Sequence, residues 1–162
     1  MGAGAVEAGP MSGLAVETRA PSEKSMLVPS YDEESNILTI ESPVERPWPF
    51  GVNIDGLVLL DLDDERVLAA VELLIPRSRW KKVDALPTWP LFKKRSDLIL
   101  KPDVVATKMH RLPVSVVADK LGKDVLISFG SLEPDHWVHL ADNALAAIRD
   151  GELQGFRIRL LE

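Results

Sequence analysis

Proline sets the grain of this chain. The 162 residues include twelve of them. Each fixes φ and lacks a backbone donor, so none sits easily inside a helix or a central strand. Those at 43, 47, 49, 76, 87 and 90 fall between short apolar runs rich in Val, Ile and Leu. The chain is thereby cut into pieces too short for long helices, and short strands joined by turns are the expected outcome.

Residues 27–31 and 37–41 flank the turn cluster Asp32-Glu33-Glu34-Ser35-Asn36 and read as a hairpin. Residues 57–62 run through Asp63-Asp64-Glu65-Arg66 into a return strand, 67–75, which Pro76 ends. The C-terminal third follows a similar plan. Strands are expected at 125–129 and 137–140, and residues 144–149 and 153–161 flank Asp150-Gly151. That Asp-Gly pair favours a hairpin. The Ala-rich stretch 142–149, with Asp142 as N-cap and Gly151 at its end, also reads as a short helix. The alternation of Phe156, Ile158 and Leu160 with Arg157 and Arg159 marks a strand with one wet face.

The first meander and the C-terminal third thus each give a short strand, a loop, an apolar strand, an acidic turn and a long return strand. Such a likeness reads either as an internal repeat or as the chance similarity of two hairpins. The fold class that follows is mostly β, with α+β as its variant. Two antiparallel β-meanders form a small sandwich or bent sheet, with at most one or two short helices. The expected organisation is a flexible tail over 1–26 and one β-rich domain over 27–162. Within that domain lie a first meander (27–76), a basic aromatic excursion (77–113) and a second meander (114–162). The tail reads as disordered because small residues dominate it and no aromatic appears.

Residues 31–75 resemble a family of small bacterial domains of unknown function. The likeness rests on Tyr31-Asp32, Leu38-Thr39-Ile40, Asp61-Leu62-Asp63 and Ala70-Val71-Glu72-Leu73. The chain departs from the pattern at Pro47-Trp48-Pro49 and at Ala69-Ala70, where the family usually has a single Gly. The resemblance implies a small antiparallel β-rich fold and no activity.

Cysteine is absent, which removes disulfides, thiolate metal sites and cysteine nucleophiles. No apolar run approaches the twenty residues of a membrane helix. No basic start followed by an apolar stretch marks a leader. A cytoplasmic protein without cofactor is the expectation.

Charge divides the chain. Residues 77–111 hold ten Lys and Arg against three Asp, net +7, while the remainder holds nine basic and 22 acidic residues, net −13. The basic stretch is interleaved with Trp80, Trp89 and Phe92. One reading folds it back over the rest, with its Trp rings as core plugs. A second makes it the anchor of a protein interface, carried by Arg77, Arg79, Trp80, Lys81, Lys82, Trp89, Lys93, Lys94 and Arg95. A third lays single-stranded nucleic acid on it, with phosphates on the cations and bases stacked on Trp. The net charge of −6 works against the third.

Catalytic signatures are sparse. His136 and His139 are candidate metal ligands at i, i+3, but on a strand they would point to opposite faces. The carboxylates at 32–34 and 61–65 read as solvated turns. Ser35, Ser115, Ser128 and Ser131 lack a nucleophile-elbow context. The functional expectation is a non-catalytic protein-binding module, of the toxin-neutralising or accessory-subunit type, with self-association through edge strands as a further mode. A metal-dependent hydrolase built on His136 and His139, and single-stranded nucleic-acid binding through 77–111, are the alternatives.

Overall fold

A computed structural model describes residues 12–22, 26–91, 94–130 and 132–161. The described chain is mostly β. Its elements are β1 (Val16–Arg19), β2 (Val28–Asp32), β3 (Ile37–Glu41), β4 (Phe50–Ile54), β5 (Val58–Leu62), β6 (Leu68–Leu73), β7 (Lys81–Lys82), β8 (Asp97–Leu100), a short helix α1 (Pro102–Ala106), β9 (Val114–Ala118), β10 (Asp124–Phe129), β11 (His136–Ala141), β12 (Ala144–Arg149) and β13 (Glu152–Arg159). Among the described residues no helix is long and apolar enough to cross a membrane.

Two antiparallel sheets carry the fold. The first has the order β2-β3-β6-β5-β4, and the second β11-β12-β13-β10-β9, with β7 added in parallel beside β9. Alternate residues of both turn inward, as in β5 and β10. Leu38, Ile40, Leu60 and Val71 of one sheet belong to the same hydrophobic core as Val125, Ile127, Phe156 and Ile158 of the other. Asp150 and Gly151 both take left-handed φ, 50° and 74°, so the hairpin and not the helix forms over 144–159.

The sheets are the same fold twice. Five strands in chain order, β2 to β6 or β9 to β13, take the same spatial sequence: first, second, fifth, fourth, third. The irregularity also repeats. Between β5 and β6, Asp61 faces Ala70 but Leu62 faces Leu68, which leaves Ala69 over. Between β12 and β13, Ala147 faces Gly155 but Ile148 faces Leu153, which leaves Gln154 over. A bulge at one matched place in both ladders is not expected of two unrelated hairpins.

The match assigns equivalent positions. Leu38 corresponds to Val125, Val71 to Phe156, Glu72 to Arg157 and Ala70 to Gly155, each by its place in the ladders.

The two arms cross over. β1 precedes the first sheet in the chain but docks on the second: Val16 N–H donates to the Gly151 carbonyl, and Leu153 N–H to the Leu14 carbonyl, both at 2.9 Å. β8 precedes the second sheet but docks on the first: Leu100 N–H donates to the Arg66 carbonyl at 3.0 Å, and Ile99 bridges Val67. Gly151 and Arg66 both have left-handed φ and both lie just before the last strand of their sheet in chain order. The arms then pair with each other antiparallel, from Val16–Leu100 to Arg19–Asp97.

This corrects the expected tail. Leu14 is fully buried and β1 completes a ladder, so 12–19 belong to the domain, while residues 1–11 and 23–25 lie outside the described residues. The local sequence misled because the partners of β1 lie some 80 and 135 residues away. The excursion over 77–113 is likewise more than a connector, since it supplies β7, β8 and α1.

Candidate functional site

The basic segment folds back on the molecule. Trp80 is only 4% exposed, its indole N–H donates to the Ile75 carbonyl at 2.8 Å, and its ring stands edge-on to Tyr31. It is a core residue, so its expected role as a partner anchor is corrected. The cause is local: the turn Arg77–Arg79 swings the ring beneath β2.

Arg77 lies with its guanidinium 4.2 Å from the centre of the Tyr31 ring and 3.3 Å from Glu33. Arg79, Lys81 and Lys82 are exposed, and Lys82 Nζ donates to the Arg77 carbonyl. Trp89 sits over the second sheet, with Arg159 and Arg157 at 4.1 and 5.0 Å from its ring centre. Lys94 is exposed, Arg95 is half-buried, and Lys93 lies outside the described residues. The expected interface residues thus fall on three parts of the fold. Trp80 offers no face to a base, and Trp89 already carries a guanidinium, which works against stacking nucleic acid.

Arg157 is the centre that sequence reading did not single out. It is 3% exposed on the outward side of the second sheet. Its Nε and Nη2 donate to the two carboxylate oxygens of Asp124 at 3.0 and 2.9 Å, and Nη2 also donates to the Pro87 carbonyl. The excursion is thereby fastened across that face. Its sequence signal was a cation on the wet face of a long strand, which is indistinguishable from an ordinary exposed Arg.

The first sheet carries the opposite arrangement. Glu72, at the equivalent position, shares its face with Asp61 and Glu41. Partial burial raises the Glu72 pKa, and repulsion from Asp61 and Glu41 adds to it. Burial also raises that of Asp61, with Glu41 adding. The expectation that Asp61 and Asp63 are solvated turn residues is corrected. Asp61 lies in β5, and Asp63 is a buried cap accepting from the N–H groups of Glu65 and Val67. Arg46 joins it at 3.5 Å.

His136 and His139 lie on β11, a strand as expected, the first exposed and the second 2% exposed. Both touch a cavity of about 340 Å³ with Asp135, Trp137, Pro90 and Leu91. Among the described residues no group of three or more His, Asp or Glu stands close enough to hold a metal ion.

Exposed apolar surface collects elsewhere. A groove of about 320 Å³ lies between the start of β2 and the β11–β12 turn. It is lined by Met26, Val28 and Leu161, exposed by 48, 46 and 77%, with Arg95 and Asp142 at its sides.

A scan against protein-family models finds no match and no curated protein matches the chain, so the likeness over residues 31–75 rests on its residue pattern alone.

Proposed function

We propose that this chain is a non-catalytic protein-binding module of the toxin-neutralising or accessory-subunit kind, working in the bacterial cytoplasm. The observation that carries the reading is the groove at the start of β2. Three large aliphatic side chains stand exposed around one concavity, with an Arg and an Asp at its sides. Apolar groups flanked by charge are the usual makeup of a recognition patch, where burial supplies affinity and charge supplies register. The anchor moves from Trp80, which the core already uses, to this groove, to which Arg95 contributes.

Native mass spectrometry of the protein isolated from its own host at low salt tests the reading. A stoichiometric second protein is expected, and Leu161→Glu should remove it while leaving the fold intact. A stoichiometric metal ion or oligonucleotide in its place would overturn the reading.

A further inference from the structure

The two sheets have four outer edges, and among the described residues further backbone hydrogen bonds reach three of them. His110 N–H donates to the Asn53 carbonyl on β4, and Ser96 N–H donates to the His139 carbonyl at the matching place on β11. β7 lies along β9. The fourth edge, β2, pairs with β3 on one side and, among the described residues, with nothing on the other.

β2 is the counterpart of β9, so the second sheet shows what a filled edge looks like. Tyr31 faces Leu38 as Ala118 faces Val125. The Ala118 carbonyl points outward and accepts from Val83 N–H as β7 ends. The same register turns the Tyr31 backbone N–H and carbonyl outward. Pro29, two residues earlier, fits this alternation, because its missing donor falls on the outward side.

Charge says what would fill the edge. Beyond β7, Asp84 pairs with Lys120, which lies two residues after Ala118. Two residues after Tyr31 stands Glu33, between Asp32 and Glu34, all exposed. Glu33 holds Arg77 on one side, yet its side chain is 75% exposed. The sign of the position is inverted, so its complement is a cation. At the other end of the strand, Val28 opens onto the apolar groove.

Building on the binding-module reading, we infer that β2 is a docking edge for an extended segment of a partner protein. The segment runs parallel to β2, as β7 runs beside β9. It places an apolar side chain in the groove by Met26 and Val28 and a Lys or Arg at Asp32–Glu34. Backbone pairing supplies affinity, and the two ends supply register.

The test uses the full chain labelled with ¹⁵N and the acetylated, amidated hexapeptide Leu-Val-Lys-Val-Lys-Lys. Amide shift changes centred on residues 27–34, with smaller ones at the groove residues Arg95, Asp142, Asn143 and Leu161, are expected. Peptides N-methylated at alternate residues, made in both registers, separate pairing from simple charge attraction. One register should weaken binding by about tenfold or more, since it loses the donors facing β2, and the other should retain it. Replacing each Lys by Glu should abolish binding. Equal binding by both methylated forms, shifts centred elsewhere, or no binding of the parent peptide would overturn the docking edge. The two readings fail separately: a stoichiometric protein partner that saturating hexapeptide does not displace keeps the binding module and removes the edge.

Discussion

Glu72 and Arg157 stand at one position in two copies of the same sheet, and their surroundings are opposite. Arg157 is covered by the excursion, carries both oxygens of Asp124 and reaches the Pro87 carbonyl. Glu72 has no such cover and faces Asp61 and Glu41. A second inversion lies nearby. Arg46 of the β3–β4 loop meets Asp63 just after β5, whereas Glu133 of the β10–β11 loop meets Arg149 at the end of β12. The inward faces of both copies obey one rule, since each fills the shared core. The outward faces are free to diverge, and the sign of a charge there follows what covers it.

The sharpest way to break the comparison is to exchange the residues at the close approach of the sheets' strands. A Cβ at Gly155 would run into the Ile127 carbonyl, which is backbone and cannot step aside. Gly155→Ala should cost about 4 kcal/mol in urea unfolding, at the upper end for a single substitution. Ala70→Gly, its counterpart, should cost about 1 kcal/mol through chain entropy. Equal costs would mean that the Ile127 carbonyl does not exclude a Cβ at Gly155.

The outward charges come next. Arg157→Ala strands the Asp124 carboxylate and unfastens the excursion, and should cost about 3 kcal/mol by the same measurement. The arms can be compared directly, since Leu14 and Leu98 are both buried and each lies two residues before the residue, Val16 or Leu100, that donates to the other arm's sheet. Leu→Ala at either should cost about 2 to 3 kcal/mol, and costs that differ widely would break the symmetry of the crossover.

The smallest effect has the opposite sign. Glu72→Gln removes a repelled charge and should stabilise by about 0.5 kcal/mol at neutral pH. A carboxyl whose pKa is raised by folding holds its proton more tightly folded than unfolded. Its stabilising contribution is complete below the unfolded pKa and is lost as pH rises through the folded one. The advantage of the variant should therefore fade as pH falls towards about 4 and be absent below it. A destabilised Gln variant at neutral pH would show that Glu72 has a cation partner.

Much of this was legible in the sequence. Short apolar runs between turns located β3, β5, β6 and β10, alternation located β13, and Asp150-Gly151 favoured the hairpin over a helix for β12. β4 was hidden behind Pro47 and Pro49, although Asp55-Gly56, with left-handed φ of 54° and 72°, is the same signal at its far end. β1 and β8 were not legible, because a four-residue strand with partners far along the chain has no local signature. Arg157 looked like a surface cation because burial on the outward side comes from residues seventy positions earlier. The repeat was visible as an order of elements but not as matched residues, since only the inward positions share their chemistry.

The crossed arms bear on how the chain is made. The Val16 N–H finds its acceptor only when Gly151 is present, 135 residues later. At typical synthesis rates of about 5 to 20 residues per second, that wait lasts roughly ten seconds. Throughout it the first sheet can assemble, yet Leu14 and Val16 remain without their seat. Vectorial synthesis therefore builds this protein from the middle outward, and the segment translated early is among the last to be fixed in place.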